Sequence, residues 1–343
     1  MTPVRKAAVV LGALASLLAL VAVLWLPLAA PRLVKLPTDF TTTIEMSGTA
    51  EASAAPGTLA KLPSTVRLPV QATIDIAATS ADEDVVVISM TETQKVGDPS
   101  GPTQDVTQKS QLVVDRSTEA NVDDPRSWSV SPDHPAQRAG TYTVGLGFAF
   151  DETATYQFWE DSIAAGYPIA PGGDLGQVDV GGLSVTAMSG SVTNAPADPA
   201  WIASLTSLQP PTSLTAAQWT AAGFDIGANA SADVDYLVSI SSTMAIEDSS
   251  GGTAAVTAED VTISFRPDPA ATGGSPVDPL PVISTSLAET PQSVATDTAM
   301  IADNVGLLGI VWRWVPIGLA VGAALLAALT VVLARRARRA GHA

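Results

Sequence analysis

Two long apolar runs, one near each end of the chain, constrain the fold more than any other feature of the sequence. No residue from Ala7 to Pro31 is charged, and none from Trp314 to Ala334 is charged. A helix that crosses the hydrocarbon core of a bilayer needs roughly 20 apolar residues. Both runs therefore predict transmembrane helices, which we place at residues 7–30 and 314–334.

A cleaved signal peptide is the alternative interpretation of the first run, because Arg5 and Lys6 provide a basic start. The apolar run is longer than the roughly 7–15 residues of a signal-peptide core, and Pro31 follows it where a small-x-small cleavage site would be needed. We therefore expect the first run to be retained as an anchor.

Basic residues at the carboxy terminus predict the orientation. Directly after the second run come Arg335, Arg336, Arg338 and Arg339. Positive flanks stay in the cytoplasm, so a chain with two spans would have residues 1–6 and 335–343 inside and the region between them outside. The candidate interfacial anchors are Trp25, Trp312 and Trp314. We expect an integral plasma-membrane protein in contact with membrane lipid.

The region between the runs is strongly acidic. All 34 acidic residues lie from Asp39 to Asp303, with only eight of the 17 basic residues. Such a field repels nucleic acid, so we expect no nucleic-acid partner. The chain has no cysteine, which excludes disulfides, thiolate metal sites and a cysteine nucleophile.

Residues 31–266 contain several segments that alternate apolar and polar residues, as half-buried strands do. The predicted strands are Asp39–Gly48, Val66–Ile76, Val85–Met90, Leu112–Asp115, Thr141–Phe150, Leu183–Val192, Val234–Ile246 and Val261–Phe265. Val85–Met90 is apolar on both faces apart from Ser89 and predicts a strand buried on both sides. Pro69 predicts an edge strand or a bulge. The fold class that we predict is a β-rich α+β extracytoplasmic domain flanked by two transmembrane α-helices.

Few segments of this region favour helix. Tyr156–Ala165 and Leu214–Ala222 are predicted helices, closed by Gly166 and Gly223. Residues 267–293, rich in proline and glycine, predict a linker. Residues 294–313 predict a juxtamembrane helix.

That juxtamembrane helix carries an apolar seam. Val294, Ile301, Val305 and Leu308 recur at heptad-type spacings. We expect the seam to pack on the chain's own domain or against the extension of the first run at Leu33–Leu36; self-assembly through this helix is the alternative. Fewer than about three heptads are marginal for association, which favours the first reading.

No pattern of residues identifies a reaction. His134 lies in a turn-forming Ser-Pro-Asp-His-Pro sequence, and His342 is in the tail, so neither predicts a catalytic triad or a metal site. The acidic clusters lack the ligand spacing of a calcium loop. We expect no catalytic residue, cofactor or metal ion, although an acid pair of the glycosidase kind can come from distant positions.

Several short motifs together resemble the actinobacterial PorA porin family, a domain of unknown function. They are Leu36-Pro37-x-Asp39 before a Thr-rich strand, Val114-Asp115-Arg116-x-Thr118, and Phe148-x-Phe150 followed by Tyr156-x-x-Trp159-Glu160. The resemblance implies an amino-terminal span, an extracytoplasmic region and a carboxy-terminal span. A porin of the transmembrane β-barrel type is not expected, because barrels cross the membrane with amphipathic strands rather than apolar helices.

These observations predict a non-enzymatic cell-envelope membrane protein whose outer domain is a binding, scaffolding or assembly module. The first alternative is handling of a lipid or other hydrophobic ligand at the outer face of the plasma membrane. An apolar cavity would favour it. The second alternative is a cell-wall enzyme with scattered carboxylates, which converging perturbed carboxyl groups in a cleft would favour.

Overall fold

The structure is a computed structural model that describes residues 3–25, 35–55, 57–82, 84–97, 103–148, 150–176, 178–206, 208–227, 230–272 and 277–339. The chain divides into two compact units. One unit comprises residues 1–35 and 302–343, and the other comprises Leu36–Ile301.

The unit Leu36–Ile301, which we call the β domain, is built on one 12-stranded antiparallel sheet. The strands are β1 (Thr41–Ala54), β2 (Lys61–Ala81), β3 (Val85–Val96), β4 (Gln104–Asp115), β5 (Trp128–Ser129), β6 (Tyr156–Glu160), β7 (Ala165–Pro171), β8 (Val185–Pro196), β9 (Ser213–Thr215), β10 (Ser231–Glu247), β11 (Thr253–Pro267) and β12 (Leu280–Glu289). Their order is β5-β4-β3-β2-β1-β12-β11-β10-β8-β7-β6, and β9 pairs with β10.

The sheet curls so that its two ends meet. Ser129 on β5, at one end, donates its hydroxyl to Asp161 Oδ1, just after β6 at the other end, over 2.6 Å. The segment after β5 also covers the edge of β6, where Trp159 N donates to Tyr142 O. The result is a curled half-barrel with an enclosed inner face.

Short helices cover parts of the sheet: α2 (Pro199–Ser204), α3 (Ala216–Ala222) and a 3₁₀ turn at Pro269–Thr272. Thr215 caps α3 in a capping box with Gln218, and Gly223 ends the helix in the left-handed conformation. The predicted helix Leu214–Ala222 is therefore confirmed in its main part, with Thr215 as its cap.

Two predicted elements are wrong. Tyr156–Ala165 is not a helix but the hairpin β6–β7, because its aromatic residues alternate and pair across strands, with Phe158 opposite Tyr167. The described residues of 141–150, which are 141–148 and Phe150, do not form a strand, because Gly145 and Gly147 interrupt the segment and Gly147 adopts a φ of +77°.

The predicted linker, residues 267–293, contains a central strand of the sheet. β12 pairs with β1 on one side and with β11 on the other. Its prolines are tolerated because Pro281 lies at the start of the strand, beside a register irregularity between Ile263 and Ser264. Pro69 lies in β2 between β1 and β3, so the edge-strand interpretation is also wrong. Pro69 is tolerated because β3 ends at Val96, which pairs with Val70, the residue after Pro69. Position 69 therefore has no paired residue on β3.

The other unit consists of helices: α1 (Pro3–Leu24), the carboxy-terminal part of α4 (Pro291–Gly309), a π-helical turn (Ile310–Trp314) and α5 (Val315–Arg339). α1 packs along α5 in the antiparallel sense, with Gly12 beside Thr330 and Gly322 beside Leu18. Small residues at such contacts allow two helices to approach closely.

The predicted fold class needs correction. The chain is mostly β, with 44% strand and 26% helix, and the helix lies mainly in α1, α4 and α5 rather than within an α+β domain. Among the described residues one helix is long and apolar enough to cross a membrane, Pro291–Arg336. The expected pair of flanking spans is therefore wrong, because α1 ends at Leu24 and its apolar part, Val9–Leu24, is shorter than 18 residues. The rest of the predicted first span, residues 26–30, lies outside the described residues.

Candidate functional site

The enclosed face of the β domain contains two neighbouring cavities of about 190 Å³ each. Five residues line both of them: Glu92, Gln108, Glu160, Trp201 and Glu259. These residues come from the neighbouring strands β3 and β4, from β6 and β11 elsewhere in the strand order, and from α2. Only the curl of the sheet brings them together.

Most of the remaining lining is apolar. The first cavity is lined by Ile44, Ile74, Ile76, Met90, Val144, Phe158, Ile240 and Met244, among others. The second is lined by Leu68, Val96, Val106, Leu205, Leu208, Val261, Ile263 and Ile283, among others. The site thus has two apolar compartments with a polar band between them, a composition typical of pockets for small hydrophobic or amphipathic molecules.

On one wall, hydrogen bonds fix the polar band. Glu92 and Gln108 are opposite each other on β3 and β4. Gln94 Nε2 donates to Glu92 Oε1 over 2.7 Å, and Trp201 Nε1 donates to Gln108 Oε1 over 2.9 Å. The Trp201 bond joins α2 to β4 and so ties the two sides of the curled sheet together.

The opposite wall carries Glu160 and Glu259. Glu160 Oε1 accepts a hydrogen bond from the backbone N–H of Ser162 over 3.0 Å. Glu259 is opposite Ser242 on β10, whose hydroxyl lies 2.9 Å from that of Tyr167. We call Glu92, Glu160 and Glu259 the carboxylate band.

Burial raises the pKa of every carboxyl group in this band. The pKa of Glu160 rises to about 7 and that of Glu259 to about 8, first because burial disfavours the charged form. Repulsion from Glu92 raises the pKa of both further, and Glu160 also acts on Glu259. The pKa of Glu92 is raised mainly by burial. The three groups are thus close enough to influence one another's ionisation.

Beside the first cavity lies a buried ion pair. Arg138 has a fully buried side chain and donates from Nη2 to Asp161 Oδ1 over 2.7 Å. The same Asp161 oxygen accepts from Trp159 Nε1 over 2.6 Å, and the guanidinium carbon lies 5.2 Å from the centre of the Trp159 ring. Trp159 is buried. It also belongs to the polar network of Arg138 and Asp161.

Sequence reasoning missed the carboxylate band, although a signal was present. Each glutamate occupies a position in the apolar register of its strand: Glu92 follows Ile88 and Met90, Glu160 follows Tyr156 and Phe158, and Glu259 precedes Val261 and Ile263. A carboxyl group at such a position faces the buried side of a sheet. An acidic residue at an apolar position of a strand is therefore the sequence signal that predicts each of the three glutamates.

The predicted membrane anchors lie in the helical unit. Trp312 and Trp314 are exposed, 42% and 62%, whereas Trp25 Nε1 donates to Val311 O over 2.8 Å. Arg335 and Arg336 are exposed near the end of α5. Arg338 and Arg339 belong to α5, but their side chains lie outside the described residues, as does His342.

The predicted seam is largely covered by the chain itself. Val294 and Ile301 are buried, and Leu308 is 9% exposed. Ile301 packs near Gly252, where an added Cβ would lie 3.4 Å from the isoleucine side chain. Val305 is half-buried.

Within the described part of the chain, no group of three or more histidine or acidic side chains is placed to hold a metal ion.

Large apolar side chains are exposed along all three helices of the helical unit, and they include Val9, Leu17 and Val23 of α1, Leu307 of α4, and Val321 and Leu325 of α5. Contiguous exposed apolar surface of this kind marks contact with a membrane or a partner.

Comparison with curated proteins gives no match. The family model described as Porin PorA matches residues 7–332, nearly the whole chain. The chain is a membrane protein and belongs to the PorA family.

Proposed function

We propose that this protein is a non-enzymatic, membrane-anchored binding module of the cell envelope that holds a hydrophobic or amphipathic molecule inside its β domain. The observation that carries the proposal is the pair of apolar cavities that share one polar band. Apolar walls with few, well-fixed polar groups favour retention of a ligand by burial of its apolar surface. This combines the predicted binding role with the predicted handling of a hydrophobic ligand.

The carboxylate band supports binding better than catalysis. A pair of catalytic carboxyl groups works because their environments push the two pKa values apart, so that one acid stays protonated while the other stays ionised. In the band all three pKa values are shifted in the same direction, upward. The arrangement therefore offers no contrasting acid and base, which is why we place the cell-wall enzyme last.

The proposed anchor is Pro291–Arg336, the one helix in the described part of the chain that is long and apolar enough to cross a membrane. The arginines at its end favour the cytoplasmic side, so the β domain would lie on the outer side. The chain has no cysteine, which makes a labelling test direct. A maleimide that does not cross membranes should label Thr220→Cys, an exposed position, in intact cells and should leave Gly341→Cys unlabelled. The reverse pattern would reject this orientation.

Ligand binding can be tested with the purified full-length chain in lipid nanodiscs. We expect the neutral apolar dye Nile red to bind in excess of empty nanodiscs. Val261→Phe would fill the second cavity and should abolish that excess. Val66→Phe, at an exposed position of β2, is the matched control and should bind like the unmodified chain. Equal binding by both variants would place the dye elsewhere and contradict the proposal.

The family name suggests a second candidate, passage of solutes through a pore. The same preparation should therefore be added to planar bilayers. Water-filled pores have polar interiors, whereas the enclosed face here is mostly apolar. We expect no discrete conductance steps. Steps that depend on this chain would favour the pore and would reject a role limited to binding.

A further inference from the structure

The carboxylate band is enclosed without a balancing positive charge from the described lining of the cavities. Lys109 is the basic residue in that lining, but its side chain is exposed. It follows the inward-facing Gln108 on β4, and neighbouring side chains of a strand point to opposite faces of the sheet. Arg138 is not among the lining residues; its charge acts on Glu160 from outside the cavities, but its Nη2 is engaged by Asp161. Buried carboxylates are normally paired with a cation or protonated. The cavities therefore present an acidic surface whose natural counter-charge is missing from the described lining.

A second observation points to a ligand at the same place. Ser162 lines the second cavity beside Glu160 and is 1% exposed. Its hydroxyl makes no hydrogen bond of full geometry to a described residue, although it lies close enough to Glu160 to lower the pKa of that carboxyl. Leaving a buried polar group unsatisfied costs free energy, so such groups are usually satisfied by another molecule when the protein lacks a partner. A hydroxyl accepts as well as donates, and can thus complete the contacts of a bound ammonium group.

We propose, on the basis of the proposed binding function, that the ligand is a cationic amphiphile: an amine head held by Glu92, Glu160 and Glu259, with an alkyl tail in the apolar compartments. The head group would contribute N–H donors to three acceptor side chains on two facing walls. The tail would bury its surface against residues such as Leu68, Val261 and Ile283. An anionic head, such as a carboxylate or phosphate, would be repelled by the same groups.

The ionisation of the band provides a signature for this contact. Without a cation, the raised pKa values of Glu160 and Glu259 leave these groups partly protonated near neutral pH. An ammonium ion placed among them favours the charged carboxylates. Amine binding should therefore release protons, and the affinity should rise between pH 6 and pH 9, because an alkylamine remains protonated over that range.

The test uses three probes of equal chain length, octylamine, octanol and octanoate, with the full-length chain in nanodiscs and empty nanodiscs subtracted. Calorimetry in two buffers of different ionisation enthalpy measures proton release. We expect octylamine to bind at least about tenfold more tightly than octanoate, which corresponds to a difference of 1.4 kcal/mol. We expect octanol to fall between them and to bind without proton release.

Matched variants separate the band from the rest of the acidic surface. Glu259→Gln should reduce the preference for octylamine over octanol and the proton release, while octanol binding is retained. Asp75→Asn removes an exposed carboxylate from β2, outside the lining of both cavities, and should change neither. Because Glu259→Gln could disturb packing, Glu160→Gln is the second variant, and it should show the same loss.

The outcomes distinguish the two proposals. If octanol and Nile red bind but octylamine has no advantage, or keeps it in both glutamine variants, the amine assignment is wrong and the binding function stands. If none of the neutral probes binds above empty nanodiscs, the binding function itself fails. If octanoate binds most tightly, an anionic ligand replaces the cationic one.

Discussion

Arg138 and Asp161 form an ion pair at the place where the two ends of the curled sheet meet. The Arg138 side chain has no solvent exposure, and its Nη2 lies 2.7 Å from Asp161 Oδ1. The same oxygen accepts from Ser129 on β5 and from Trp159 on β6. One carboxylate oxygen thus holds three donors from both edges of the sheet, next to the first cavity.

This arrangement makes Asp161 more important for stability than its surface position suggests. Asp161→Asn would leave the Arg138 charge buried without its carboxylate, and Nε and Nη1 of Arg138 already lack hydrogen-bond partners among the described residues. Removing one member of a buried ion pair costs about 3–5 kcal/mol. We expect a clear fall in the thermal unfolding midpoint of the full-length chain. Asp151→Asn, at an exposed turn position, is the control and should melt like the unmodified chain.

Gly48 allows β1 and β12 to lie side by side. A Cβ atom at this position would lie 1.9 Å from the carbonyl oxygen of Ser286, which is backbone and cannot rotate away. Gly48→Ala should therefore destabilise the chain by about 3 kcal/mol, at the upper end of the range for overpacking. In contrast, Gly306→Ala meets nothing within 4 Å and should be neutral or stabilising, since alanine favours helix. Equal melting of the two variants would contradict this account of the sheet.

Glu289 and Asp297 form a buried carboxyl pair that should make stability depend on pH. Burial raises the pKa of Glu289 to about 7 from an ordinary value of 4.5, and repulsion by Asp297 adds to it. Burial also raises the pKa of Asp297. Glu289 Oε2 accepts from Val256 N, and Thr42 Oγ1 donates to Asp297. The pair thus joins α4 to β1 and to the centre of the sheet.

Because the folded state holds the proton of Glu289 more tightly than the unfolded state, this group stabilises the fold fully below pH 4.5. That contribution is lost as the pH rises through about 7. The free energy of unfolding should decrease across this window, as measured by chemical denaturation at a series of pH values. Glu289→Gln mimics the protonated form and should lessen the decrease, whereas Glu51→Gln at an exposed ion pair should not. An unchanged slope in Glu289→Gln would show that other groups cause the dependence.

The juxtamembrane seam can be tested by cysteine crosslinking in native membranes. Ile301 is 6% exposed and packs near Gly252, so Ile301→Cys should not form a disulfide-linked dimer after oxidation. Asp303→Cys is the neighbouring off-seam control, and its position is exposed. Efficient crosslinking at Ile301 alone, seen on a non-reducing gel, would instead support self-assembly through this helix.

The sequence by itself determined the local features of this protein. Alternation in Val234–Ile246 predicted strand β10, because a side-chain period of two is a property of the strand alone, and the apolar run Val85–Met90 predicted β3 as a strand buried on both sides. Short motifs spread along the chain were enough for the family. The capped helix ending at Gly223 could likewise be read locally, since its start and stop signals lie within a few residues.

Only the tertiary structure decided which distant positions meet. The alternation of Tyr156 and Phe158 could be mistaken for helix until β7 paired with them, and the proline-rich region 267–293 gained its strand from β1 and β11 on either side. The carboxylate band is the extreme case. Glu92, Glu160 and Glu259 come from strands that are not neighbours in the sheet, and the raised pKa values exist only because the sheet curls them into one enclosed space away from water.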